Sequence, residues 1–553
     1  MNKVKKSRKK KKQAQRQISV RKSKERPDEV AEPVEPDVSG HEIKETDIAP
    51  GPVDEGEIQA SGSMSAPETP DNKRGPWLDL LAAVLICGLA FAIYSNTLNV
   101  PFVFDDRYNI TDNPAIQITE LTLENLWGSA FESKMPNRPV ANVSLALNYY
   151  LHQKELPGYH LVNIFIHAVT GVLLYFLFLV TLRTPTLKKT FIMPKITAFG
   201  AAAIWLAHPL QTQSVTYVIQ RMNSMATMFY LLAMLLYVIA RFSTTNRLKI
   251  FFYLGCIISG LAGFGSKEIV ITLPFFILLY EFYFFQDLDL SWCRSRTFVV
   301  GAMLIIMGLV FLTVLKIDSI TGGYEGRQFT LGQRLFTEPR VVFFYISQLF
   351  SPLPSRLNLF HDFPVSISLF QPLTTIFSIT ALAALLVFAI RLARRQRLLS
   401  FCILWYLGNL VLESSVVPLE IIFEHRNYLP STFLCLILSC LVVKGLGFIR
   451  FKAVVPVTLL MITMTLSYLT YDRNNVWRDE ETLLLDCLEK APNVFRTQAS
   501  LGYVLQWQLR LDEAMQRYQI ALGLNPTKDI RIRIQTNMDF INKMRKYPQY
   551  YKK

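Results

Sequence analysis

Two adjacent carboxylates, Asp105 and Asp106, stand in the stretch Val103-Phe104-Asp105-Asp106-Arg107-Tyr108-Asn109-Ile110. They follow the first long apolar segment, Trp77 to about Asn96, which has the ~20 residues a helix needs to cross a bilayer. An acid placed where a chain has just left the hydrocarbon can take a proton from a hydroxyl held at the membrane surface. A loop acid or a helix cap is the plainer reading of the same pair. Spacing alone does not separate the two.

Cations and imidazoles recur at the ends of later apolar segments. They are Arg138 in Asn137-Arg138-Pro139, His208 before Pro209, Arg221, Lys267 beside Glu268, and Glu424-His425-Arg426. Each alone also fits a snorkelling anchor or a cap. Together they suit one chemistry. A sugar carried on a polyprenyl phosphate keeps its tail in lipid and its phosphate at the interface. Basic groups there would neutralise the phosphate as it leaves.

Long apolar elements must position these groups. The 553 residues are 51% hydrophobic and 18% charged. The apolar residues come in long blocks joined by short basic connections, the pattern of a polytopic membrane protein. Eleven spans are expected, at roughly 77–97, 158–182, 196–215, 222–240, 249–265, 268–285, 297–315, 373–391, 399–416, 430–448 and 453–471. The connections at 183–195, 241–249, 286–296, 391–397 and 449–452 carry most of the loop Lys and Arg. All five fall on one side with the basic N-terminal tail. This predicts a cytoplasmic N-terminus and a C-terminus outside. The membrane would be a bacterial inner membrane, or the ER membrane in a eukaryote. The net charge of +15 is then explained by topology, and no nucleic-acid partner is expected. The acidic pair and all the polar clusters fall on the outer side.

The chain divides into a disordered cytoplasmic tail at 1–75, a transmembrane domain at 76–472 and an extracytoplasmic module at 473–553. The tail lacks apolar periodicity, with Lys and Arg in its first 26 residues and Asp, Glu, Pro, Gly and Ser after. In the last module, Leu501, Gly502, Ala514, Tyr518, Ala521 and Pro526 match the spacing of a tetratricopeptide repeat, and Pro492 lies one 34-residue period earlier. A generic helical hairpin is the alternative.

At these residues the chain resembles the transmembrane-and-tetratricopeptide-repeat O-mannosyltransferases, within the GT-C superfamily. The matching stretches are Phe102–Pro114, Asn137–Asn148, Gly158–His167, His208–Asn223, Ser266–Glu281, Asn358–Ser366 and Glu424–Ser431. The resemblance implies an all-α GT-C membrane fold, a polyprenyl- or dolichyl-phosphate sugar donor and inversion at the sugar carbon. It implies a catalytic carboxylate in the first outer loop, Asp105 first and Asp106 supporting it. Arg138, His208, Arg221, Lys267, Glu268, Glu424, His425 and Arg426 would bind the donor. It implies no metal and no cofactor beyond the lipid-linked co-substrate. The acceptor would be Ser or Thr of a secreted or surface protein, held partly by the repeat module. Two departures stand out: Gln211 and Gln213 replace an imidazole and a carboxylate of the family's pattern, and the repeat array is short. Rival readings are the same fold acting on a lipid or glycan, a transporter, or a membrane scaffold without catalysis.

Overall fold

The structure is a computed structural model. It describes residues 75–191, 193–297, 301, 322–449, 451 and 453–547, all within one compact unit, Pro70–Lys553. The tail expected at 1–75 lies outside the described residues except for Gly75, and so does nearly all of the span expected at 297–315.

The described residues are helical, with no strand among them. In chain order the main helices are α1 (Gly75–Tyr94), α2 (Leu123–Phe131), α3 (Pro139–His152), α4 (Leu156–Leu182), α5 (Pro194–Leu206), α6 (Arg221–Phe242), α7 (Asn246–Phe264) and α8 (Leu273–Phe284). After these come α9 (Leu331–Phe350), α10 (Thr374–Leu392), α11 (Arg397–Leu410), α12 (Ser431–Leu446) and α13 (Val454–Asn475). The last four are α14 (Glu480–Lys490), α15 (Phe495–Trp507), α16 (Leu511–Gly523) and α17 (Lys528–Lys546). Several starts are legible in sequence. Pro139 and Pro194 occupy first turns, where a missing N–H costs nothing. Thr330 and Gln333 form a capping box at α9, and Asp479 caps α14 through the Thr482 N–H at 2.7 Å.

Among the described residues, six helical stretches are long and apolar enough to cross a membrane: Gly75–Thr97, Leu156–Leu182, Val218–Phe242, Asn246–Phe264, Thr374–Leu392 and Val454–Asn475. The other expected spans differ from single rods. The segment expected at 196–215 ends its α-helix at Leu206 and continues as a 3-10 turn at Pro209–Gln211 and a short helix. Pro209 lacks the N–H that would extend the ladder. The segment at 268–285 begins as a 3-10 turn, Glu268–Thr272, before α8. Helices α11 and α12 are apolar but shorter.

Helices α1, α4, α5, α6, α12 and α13 share one large apolar core. Helix α5 crosses α13 closely at Gly200, where a Cβ would meet Leu459 at 2.8 Å. Indole and imidazole groups pin the turn before α12 into this core. Trp205 Nε1 donates to Tyr428 O at 3.1 Å, and His167 Nδ1 lies 2.8 Å from Tyr428 Oη. That turn carries Glu424–Asn427, so the core fixes where those side chains emerge.

The C-terminal helices pack one on the next around Leu501, Ala514, Tyr518, Ala521, Ile534 and Ile541. Gly502 allows α15 and α16 to touch, since a Cβ there would meet the Tyr518 ring at 2.8 Å. Phe104 of the loop after α1 packs against the same cluster.

Candidate functional site

The two carboxylates of the pair have different surroundings. Asp106 is fully buried. Its Oδ1 accepts the Ile219 N–H at 2.7 Å and its Oδ2 accepts the Val103 N–H at 3.1 Å. Burial pushes its carboxyl up to about 8, against the pull of these backbone donors. Asp105 is exposed. Its carboxylate makes no hydrogen bond or ion pair among the described residues, while its N–H donates to Tyr217 Oη at 2.9 Å. Partial loss of surrounding water raises its pKa from the ordinary value, and Arg496 opposes that rise. Phe104 just before it has φ 43°, a left-handed conformation that costs a non-glycine residue ~1–2 kcal/mol. Asp106 therefore ties a strained loop to the 217–219 turn and leaves Asp105 unengaged.

Beyond that turn, Gln220 lines a cavity of about 300 Å³ with Arg138, Lys267, Glu268, Glu413, His425 and Arg426. Arg138 grips Glu268 with two nitrogens, Nε at 3.3 Å and Nη2 at 3.0 Å. Lys267 Nζ is buried between Glu413 Oε1 at 2.8 Å and Asn223 Oδ1 at 2.9 Å. His425 is held by Gln213, whose Oε1 accepts the backbone N–H at 2.8 Å and lies 3.1 Å from Nδ1. Burial, then the nearby Lys267 and Arg426, lower the His425 pKa far below its ordinary value, so the ring is neutral. Arg426 donates to Glu420 O and Ile421 O, and its buried Nε has no hydrogen-bond partner among the described residues.

One wall of this cavity is irregular backbone held largely by arginine side chains. Arg334 of α9 donates to the carbonyls of Glu413, Ser415, Leu419 and Glu420 at 2.6–3.1 Å. Its carboxylate partner is Glu338, one turn on.

Five of the ten residues expected at a site thus meet in this cavity: Arg138, Lys267, Glu268, His425 and Arg426. Three others lie elsewhere. Arg221 is fully buried and spends its guanidinium on Asn163 Oδ1, Asn148 Oδ1, Tyr159 O and Ser144 O, which fastens α6 to α3 and α4. His208 caps the Pro209 turn, accepting the Leu210 N–H at Nδ1, and its Nε2 lies 2.9 Å from Leu349 O. Glu424 points away from the cavity and accepts the Asn358 N–H at 2.6 Å. Sequence reasoning missed Glu413, although a lone carboxylate closing an apolar helix is an informative sign.

A groove of about 540 Å³ lies between the loop after α1 and the C-terminal helices. Phe104, Arg107, Tyr108, Glu480, Tyr503 and Tyr518 are among its walls. Arg107 pairs with Glu480 across it.

The chain is similar over most of its length to proteins named as protein O-mannosyl-transferases. It is 25% identical over 492 residues to one from Caenorhabditis elegans, covering 85% of this chain and 66% of that protein. It is 24% identical over 505 residues to human TMTC3, covering 81% and 52%. It is 23% identical over 553 residues to Drosophila melanogaster Tmtc3, covering 86% and 58%. The alignments thus span from about half to about two thirds of the length of these curated relatives. No family model and no solved structure matches the chain.

Proposed function

We propose, from this kinship and this geometry, that the chain is a multi-pass membrane glycosyltransferase. It moves a hexose, with mannose the first candidate, from a polyprenyl- or dolichyl-phosphate carrier to Ser or Thr hydroxyls of extracytoplasmic proteins. The observation that carries this reading is the cation-rich cavity next to the loop of an unengaged carboxylate.

In this reading the donor phosphate enters the cavity between Arg138, Lys267 and Arg426. Their charges oppose the negative charge that develops as the bond from the sugar carbon to the phosphate oxygen breaks. Neutral His425 offers a hydrogen bond at the same place. Asp105 accepts the acceptor's hydroxyl proton as its oxygen attacks from the face opposite the phosphate, which inverts the sugar carbon. Asp106 positions Asp105 by holding the loop. The groove beginning at Phe104 receives the acceptor chain, one residue from the base. The basic connections support an N-terminus in the cytoplasm and a site outside.

Purified full-length protein and Asp105→Asn, given radiolabelled polyprenyl-phosphate mannose and a mixture of secreted proteins, test this. Label should pass to protein with the wild type and fall by at least ~10²-fold with the variant. Failure to label protein with mannose and with other hexose donors would overturn the reading. Transfer to a lipid or glycan alone would move the function to the rival acceptor class.

A further inference from the structure

Asp106 fastens the loop, but the peptide groups of Asp105 itself have partners of their own. Asp105 opens a helical run at 105–111, and N–H groups in such a first turn have no partner within the helix. The Asp105 N–H donates instead to Tyr217 Oη at 2.9 Å. The Asp105 carbonyl accepts Asn109 Nδ2 at 2.8 Å, one turn on. The two bonds lie on the two peptide units that flank the Asp105 Cα. Together they hold the direction of its Cα–Cβ bond, and so the arc within which the carboxylate moves.

Both partners are themselves fixed. Tyr217 is buried, with its ring against that of Trp477 at 5.8 Å between centroids. Three residues after Trp477, Glu480 pairs with Arg107 of the same loop. The loop is therefore gripped between the 217–219 turn and the start of the C-terminal module. Asn109 is buried too, and its own carbonyl accepts Asn113 Nδ2 at 3.0 Å. Its amide is turned to serve Asp105. Nδ2 bonds the Asp105 carbonyl, while Oδ1 is buried without a hydrogen-bond partner among the described residues. Native structures keep few such orphaned acceptors, and each calls for a reason.

We propose that Tyr217 and Asn109 are positioning residues for the transfer step and act through Asp105. The proposal rests on Asp105 being the base. Its carboxylate makes no hydrogen bond or ion pair among the described residues, so its aim comes from its backbone. That backbone follows Phe104 at φ 43°, a conformation that relaxes if its ties are cut. A displacement of about 1 Å at a reacting group can cost about 10²-fold in rate.

The test is steady-state transfer by the full chain with Tyr217→Phe and Asn109→Leu. Tyr217→Phe keeps the ring on Trp477 and removes only the hydroxyl. Asn109→Leu keeps similar volume and removes the amide. Each should lower kcat about tenfold or more and keep both KM values within about twofold. Each is then repeated with Asp105→Glu, whose extra methylene has already moved the carboxylate. There the added loss should shrink to about twofold or less, because residues that act through one group are not additive. A merely structural part would cost the same in both backgrounds, and equal losses overturn the proposal. So does a kcat within twofold of wild type, or a loss that falls on KM alone. If Tyr217→Phe fails to fold, Asn109→Leu decides. If Asp105→Glu is inactive, the split between kcat and KM in the single variants decides. Active Tyr217→Phe and Asn109→Leu beside an inactive Asp105→Asn sink the positioning and leave the base. An Asp105→Asn protein with the wild-type kcat overturns the base assignment, and the positioning falls with it.

Discussion

Replacing the two neighbouring acids one at a time should separate a structural carboxylate from a reacting one. Asp106→Ala removes both acceptors of the Val103 and Ile219 N–H groups, 3.1 and 2.7 Å away, in a fully buried site. Each orphaned buried donor costs roughly 1–3 kcal/mol, so the loss is about 2–6 kcal/mol. Asp106→Asn keeps one oxygen but turns an amide against the other N–H, and loses about half of that. Asp105→Asn orphans nothing, because its carboxylate holds no partner among the described residues. Thermal unfolding in detergent should therefore rank wild type and Asp105→Asn together, then Asp106→Asn, then Asp106→Ala. Transfer should vanish with Asp105→Asn. The pH dependence adds a signed check. Asp106 binds its proton more tightly in the folded state, at about 8 against an ordinary 3.8. Its stabilising contribution is complete below about 4 and declines as pH rises through about 8. Wild type should lose stability relative to Asp106→Asn across that window. An Asp106→Asn protein with an unchanged melting temperature and no transfer would refute the division of labour and make Asp106 the base.

Arg496→Ala removes the cation that opposes the raised pKa of Asp105. The rise of kcat/KM with pH, set by deprotonation of the base, should move to higher pH than in wild type; a limb that stays in place or moves down would contradict the assignment. Arg221→Lys keeps the charge but loses the fork that reaches Asn163, Asn148 and Tyr159. It should lower the melting temperature, at a cost of several kcal/mol for broken buried contacts, with the donor KM unchanged in the folded fraction. A raised KM at constant stability would return Arg221 to the phosphate.

Much of this arrangement was legible in the residues. Apolar blocks gave the long helices because burial and length are written locally. The grouping of Arg138, Lys267, Glu268, His425 and Arg426 followed from placing charges at the outer ends of spans, where hydrocarbon does not pay their desolvation. Side-chain direction was not legible. Arg221 and His208 share the polar setting of Lys267, yet tertiary packing turns both inward onto carbonyls and amides. Glu424 and His425 are neighbours in a 3-10 turn, yet His425 lines the cavity while Glu424 turns away to accept the Asn358 N–H. The division of roles between Asp105 and Asp106 needs the Tyr217–Ile219 turn, more than a hundred residues away in sequence. Hydropathy averages over the places where Pro209 and Glu268 break apolar runs into short turns, so the sequence did not show those breaks. Gln213, set down as a departure from the family's pattern, takes on the holding of His425.

The cation-rich cavity carries its own counter-ions, Glu268 against Arg138 and Glu413 against Lys267. In the proposed reaction an incoming phosphate diester would compete with resident carboxylates at Arg138 and Lys267 and would meet Arg426 held only on backbone carbonyls. Binding becomes an exchange of anions, in which the charge gained on one side is largely released on the other. Such a site attracts anions weakly from a distance, and its occupancy should respond little to ionic strength. Selectivity then comes from contact fit. The charges of Arg138 and Lys267 are already matched within the protein, and in the proposed reaction the Glu268 carboxylate, the more exposed of the two, would be the one to give way to the donor phosphate.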